Sequence, residues 1–389
     1  MLRWLLVFGL VLLGTAAIWG PAYARGASFV IRAAQLRGRL LEAARAHAQA
    51  FTISSVHDVP TRHGAIRGRL YHPNEFTRRS VVLVPGVHAA GIDEPRLTAF
   101  ASELAATGIE VATIELPDLT RYEFDARSVD MIEDAALWLK SRASSKRDQK
   151  VGLMGISFAG GLSVVAAGRP AIRDDLAFVF SFGGHGDLPR ALRYLCTGLE
   201  PPTPADPPGA PPRYRAPHDY GVAVILLSLA DQMVPSAQVE PLRTGILTFL
   251  QASQLDPVDK QAAAELFEQA AHTAASIDEP AATLLRLVND RNVKDLGARL
   301  LPVLEQTPYS ASLSPERSAP PVAPVFLLHG TDDTVIPSVE TVLLADHLRD
   351  KTAVRYLLSR LITHAEADRN PGPGDVMKLV GFWADLLDQ

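Results

Sequence analysis

Short apolar runs alternate with amphipathic stretches along most of the chain. "SVVLVPG" (80–86) is a β-branched run ended by Pro-Gly, the mark of a buried strand. Leu97, Phe100 and Leu104 then share one helical face, up to a stop at Thr107-Gly108. "IEVATIEL" (109–116) predicts the next strand, and Val129, Ile132, Ala136 and Leu139 the next helix. "VGLM" (151–154), a helix over 158–168 and "LAFVFSF" (176–182) continue the alternation. Strand–helix alternation of this kind predicts a mostly parallel sheet with helices on both faces. Before it, 26–50 reads as one Ala/Arg-rich helix, and 51–59 and 66–73 as two strands joined by a turn at His63-Gly64.

The alternation breaks after residue 200. Residues 201–217 carry eight prolines and read as a loop. From Asp219 to about Leu304 nearly everything has helical spacing, with Leu242, Ile246, Phe249 and Leu250 in one stripe that reads as core. Asp256-Pro257 and Asp278-Glu279-Pro280 look like helix starts. "APVFLLHG" (323–330) resumes the sheet. A helix through Val339–Leu348, a strand at 353–359 and a last helix through Val376–Trp383 complete it. The expected organisation is a leader (1–24), a connecting helix (25–50), a first core part (51–184), a Pro-rich loop with a helical insertion (185–320) and a second core part (321–389).

The leader changes the picture. "MLRWLLVFGLVLLGTAAIWG" has one early arginine and then no charge, near the short limit of a bilayer span. Ala22-Tyr23-Ala24 is also a signal-cleavage pattern. The expectation is a single N-terminal membrane anchor of open orientation, the alternative being export after cleavage near Ala24. Elsewhere the composition is ordinary: 389 residues, 47% hydrophobic, 21% charged, net charge −5. No basic block suits a nucleic-acid groove. One cysteine, Cys196, excludes an internal disulfide and reads as a packed thiol. Neither a zinc spacing, a phosphate-binding loop nor a dinucleotide fingerprint is present. No metal or organic cofactor is expected.

The chemistry gathers at "VGLMGISFAGGLSVVAAG" (151–168). A strand turning sharply into a helix holds its turn residue out at the carboxyl edge of the sheet. The residues two before and two after must then be small. Gly155 and Ala159 meet that demand around Ser157, and Gly160-Gly161 let the helix pack close. The helix start aims backbone N–H groups at the same place. The alternative for Ser157 is an ordinary helix N-cap.

This stretch resembles the G-x-S-x-G elbow of the α/β-hydrolase superfamily, with its serine-esterase and dienelactone-hydrolase-like members. Alanine stands here for the second glycine. The resemblance implies an α/β-hydrolase fold and the chain order serine, acid, histidine. "HGTDDTVIP" (329–337) resembles the family's stretch after the next-to-last strand and places Asp333 as the acid. Asp332, Asp231 and Asp187 are the alternatives. "SRLITHAEAD" (359–368) supplies His364 after the last strand, where the family carries its base. The loop "VPGVHAAGIDEPRL" (84–97) implies an oxyanion hole from the N–H of Val87, or His88, together with that of Phe158. His88 and His185 fall on loops at the same edge, where structural roles are the simpler reading. The implied reaction is opening of an ester or related acyl bond through an acyl-Ser157 intermediate, on a small, hydrophobic substrate under a lid. Rival readings are a membrane-tethered binding module on the same fold, or an acyltransferase or peptidase.

Overall fold

The computed structural model describes residues 20–35, 38–75, 77–142, 150–362 and 372–389. After helices α1 (20–33) and α2 (Arg39–Arg45) come strands β1 (Phe51–Val59), β2 (Ile66–Pro73) and β3 (Arg79–Val84). Then follow α3 (Pro95–Ala105), β4 (Ile109–Ile114), α4 (Pro117–Thr120), α5 (Arg127–Arg142), β5 (Val151–Ile156), α6 (Phe158–Ala167) and β6 (Leu176–Phe182). α7 (Leu188–Thr197) and a short β7–β8 hairpin (Leu199–Glu200, Arg213–Tyr214) lead into five insertion helices. These are α8 (Asp219–Met233), α9 (Ser236–Leu255), α10 (Lys260–Ser276), α11 (Ala281–Asn289) and α12 (Val293–Gln306). β9 (Val325–Gly330), α13 (Val339–Leu348), β10 (Val354–Ser359) and α14 (Pro373–Leu387) finish the chain.

The main sheet has eight strands in the order β1-β2-β4-β3-β5-β6-β9-β10. β1 and β2 are antiparallel, as are β2 and β4; every other neighbouring pair is parallel. Parallel strands covered on both faces read as near-continuous apolar runs. β3 shows how: Val82 and Val84 join the core cluster under α5 and α6, while Val81 and Leu83 join the cluster under α3 and α14. β5 is central, so its carboxyl end lies in the middle of the sheet edge.

The insertion helices bury the stripe expected of them: Leu242, Ile246, Phe249 and Leu250 are at most 1% exposed. Asp256-Pro257 does not start a helix. α9 ends at Leu255, and Asp259 caps α10 by accepting from the Ala262 N–H. A carboxylate at the N-cap satisfies an orphan donor, which outweighs the weaker signal of a preceding proline. Where one helix is expected over 26–50, α1 ends at residue 33 and α2 begins after Gly38, whose φ of 79° suits glycine.

The membrane anchor expected over 1–24 is corrected. Among the described residues no helix is long and apolar enough to cross a membrane. Residues 1–19 lie outside the described residues. From residue 20 the chain is helix α1, and several of its apolar side chains meet protein. Phe29, 1% exposed, packs on Trp383 of α14 with ring centroids 4.4 Å apart. Arg32 is buried against Glu103 of α3.

Candidate active site

Ser157 follows β5 and precedes α6, with φ 55° and ψ −132°. That conformation is costly for a residue with a Cβ, of order 1–3 kcal/mol. Its side chain makes no capping hydrogen bond to α6, so the N-cap role is not the one it plays. The turn is held by the backbone: Ser157 N–H donates to the Phe182 carbonyl at 2.6 Å, and Gly160 N–H to the Ser157 carbonyl at 2.8 Å. The glycines are there for want of room. A Cβ on Gly155 would lie 2.5 Å from Ser163 Oγ and 2.6 Å from the Ala159 carbonyl carbon. One on Gly160 would meet Ser181 Oγ at 2.5 Å, and one on Gly161 the His185 ring at 2.5 Å. Ala159 is fully buried, so its methyl fills the wall without displacing the turn.

The loop after β3 passes directly against the serine. A Cβ on Gly86 would stand 3.0 Å from Ser157 Cβ and 3.7 Å from its Oγ. Val87 and His88, the expected oxyanion residues, come next along this loop and are half-buried. His88 Nδ1 accepts from the Ala90 N–H at 3.0 Å, which folds the loop over. Burial lowers the His88 pKa below the usual imidazole range, with Glu94 opposing, so the ring favours its neutral form. Phe158, the second expected donor, buries its ring between Phe124 (4.6 Å) and His185 (4.8 Å, stacked at 12°).

Asp333 sits in the turn after β9 and is 3% exposed. Its Oδ1 accepts from the N–H groups of Val335 (2.9 Å) and Ile336 (3.1 Å). Its Oδ2 lies 3.3 Å from His329 Nε2, and would lie 3.6 Å from a Cβ on Gly183, the residue after Phe182. Ser157 and Asp333 therefore flank the same stretch after β6. Asp332, next in sequence, has a side chain 52% exposed and turns toward Arg215. Asp231 lies exposed in α8. Asp187 caps α7 by accepting from Arg190 N–H, and pairs with Arg317 at 2.5 Å. Neither takes part at this turn. His364 lies outside the described residues.

Beside the site lie His185, expected in a structural role, and a tyrosine pair that carried no sequence signal. His185 is fully buried behind Phe158; its Nε2 meets the Leu313 carbonyl at 2.7 Å, and its Nδ1 has no partner among the described residues. Burial depresses its pKa, so the ring is held neutral and Nε2 is the donor. Tyr122, Tyr220 and Gln254, far apart along the chain, meet beside the 86–90 loop. Cys196 is buried and its thiol is pushed up to about 12 by burial, which leaves it unreactive at neutral pH. Among the described residues, no group of three or more His, Cys, Asp or Glu side chains gathers to hold a metal ion.

No protein-family model matches the chain, and no curated protein matches it. Solved structures are similar. Pyrococcus horikoshii acylaminoacyl peptidase aligns at 13% identity and a TM-score of 0.46, over 88% of this chain and 42% of that one. A Pyrobaculum calidifontis esterase aligns at 14% and 0.43, covering 89% of each chain. The dienelactone hydrolase of Anabaena variabilis aligns at 16% and 0.41, over 87% of this chain and 97% of that one.

Proposed function

We propose that this chain, built on the α/β-hydrolase fold, is a serine hydrolase of carboxylesterase type, with Ser157 as nucleophile, His364 as base and Asp333 as acid. The observation that carries the reading is the serine itself. It is strained, uncapped and walled by Gly86, crowded by the serine itself, and by Gly155, crowded by the first turn of α6. Backbone strain of this kind persists only where the surroundings enforce it.

In the proposed reaction His364 accepts the Ser157 proton as Oγ attacks the acyl carbon. The tetrahedral oxyanion is met by the Phe158 N–H and by a donor from the Val87–His88 segment. The imidazolium returns its proton to the leaving alkoxide, and the acyl group stays on Oγ. Water, deprotonated by His364, then attacks the acyl-enzyme; the acid departs and Ser157 regains its proton. Asp333, locked by two backbone donors, keeps the imidazole in one tautomer and offsets its charge. The insertion within 185–320 acts as a lid, and the aromatic rings of Phe124, Phe158 and Tyr220 favour a small, hydrophobic ester.

A fluorophosphonate probe tests this, with Ser157→Ala as control. Labelling of the wild type that vanishes in the variant supports the nucleophile. Labelling that survives rejects it, and a folded wild type that does not label points to a binding module. A panel of p-nitrophenyl esters against aminoacyl amides separates an esterase from a peptidase.

A further inference from the structure

The insertion reaches both sides of the candidate site from the first turn of one helix. The His218 N–H donates to the Thr334 carbonyl at 2.9 Å, in the turn that carries Asp333. Two residues on, Tyr220 Oη makes a long hydrogen bond of 3.5 Å to the Val87 carbonyl, in the loop expected to supply the oxyanion hole, and the same hydroxyl meets that of Tyr122. The second contact does not stand alone. Gln254 of α9 donates Nε2–H to Tyr122 Oη at 2.8 Å. The Tyr122 and Tyr220 rings pack edge to face, 6.4 Å apart at 62°. Burial pushes both phenols above their ordinary range, so both keep their protons at neutral pH. Tyr122 holds φ 60°, a left-handed conformation that an aromatic residue adopts only under constraint. The core packing thus holds a strained tyrosine where its hydroxyl meets the insertion.

The geometry of one peptide gives this cluster its meaning. The Val87 carbonyl and the His88 N–H belong to the same planar, trans unit and point in opposite directions. A donor that fixes the carbonyl on one side fixes the N–H on the other. We propose that Tyr220 is a positioning residue: supported by Tyr122 and Gln254, its hydroxyl orients the Val87–His88 peptide so that the His88 N–H faces the oxyanion. Seating the insertion and completing the hole are then one event. This rests on the serine-hydrolase reading above, and selects His88 over Val87 as the loop donor.

Tyr220→Phe keeps the ring and removes the hydroxyl. One oxyanion donor is worth about 10²–10³-fold in kcat, so its misorientation should cost about 10–100-fold. The loss should fall in kcat for a p-nitrophenyl ester, with KM within about twofold, because the donor acts on the oxyanion and not on the ground state. Inhibition by a trifluoromethyl ketone, which forms an oxyanion on the serine, should weaken by a similar factor. Gln254→Met, which leaves both phenols in place, should give a smaller loss of the same kind. Wild-type kcat and ketone inhibition in folded Tyr220→Phe, or a loss through KM alone, overturn the positioning role. If Tyr220→Phe does not fold, Gln254→Met decides by the same readouts. Labelling that survives Ser157→Ala overturns the hydrolase reading itself, and is distinguished by leaving the Tyr220 variants with no effect on it.

Discussion

Placing a single methyl group on Gly155 tests the elbow directly. Its Cβ would lie 2.5 Å from Ser163 Oγ and 2.6 Å from the Ala159 carbonyl carbon, where ordinary contacts are about 3.5–4.0 Å. Ser163 is a side chain and can rotate. The Ala159 carbonyl is main chain in the first turn of α6 and cannot, so relief requires the turn to move by roughly 1 Å. Overpacking of this kind costs about 1–3 kcal/mol. The shift carries Ser157 with it, and a displacement of that size costs roughly 10²-fold in rate. Gly152→Ala is the control. It lies on the same strand, and its Cβ would meet the Phe178 ring (2.6 Å) and the Val81 side chain (2.7 Å), away from the turn. Urea unfolding and the second-order rate of fluorophosphonate labelling should therefore separate the two. Both variants lose stability; only Gly155→Ala loses labelling beyond its unfolded fraction. Equal labelling rates in the two folded variants refute the claim that this glycine exists for the elbow.

Other outcomes follow from individual side chains. Asp333→Asn should lower turnover by about 10⁴-fold while Asp332→Asn leaves it within about threefold, as steady-state kinetics on one ester will register. Unfolded His185 takes up a proton near the ordinary imidazole pKa, whereas the folded, buried ring resists it. Its contribution is therefore intact above that range and lost as pH falls below it, by at most about 1.4 kcal/mol per pH unit. Urea curves at pH 8, 6 and 5 should show a slope that His185→Gln reduces; an unchanged slope rejects the assignment. Glu340 is fully buried and accepts from Gly186 N–H (2.9 Å), Asp187 N–H (3.1 Å) and Arg190 Nε (2.7 Å). Glu340→Ala should cost about 3 kcal/mol by leaving those donors unpaired, and a loss below 1 kcal/mol in chemical denaturation would contradict this.

The sheet was legible because its strands are covered on both sides. A run such as "VVLV" has no polar position to mislead, and the alternation announces parallel pairing; the order of the strands, with β3 between β4 and β5, is seen only in the structure. The elbow was legible because steric crowding leaves a compositional trace, small residues at fixed offsets from Ser157. Choosing between Asp332 and Asp333 was another matter. The two are adjacent and identical, and only the path of the turn after β9 buries one and turns the other outward. Tyr122, Tyr220 and Gln254 left no trace because nothing local links a strained turn, the start of α8 and the end of α9; they meet through tertiary packing alone. The membrane anchor was read from the apolar content of the first residues alone, and among the described residues no helix is long and apolar enough to cross a membrane.

Helix α1 also governs where this polypeptide can be cut. The cleavage pattern at Ala22-Tyr23-Ala24 sits inside a continuous helix, and Ala22 is 6% exposed. A protease needs an extended substrate, so trimming there must precede folding or wait for the helix to unwind. A recombinant form begun beyond residue 33 would strip Phe29 from Trp383 and uncover apolar surface worth about 1.5–3 kcal/mol on that ring alone. A recombinant form that sheds the hydrophobic start should keep the stretch from Gly20 onward.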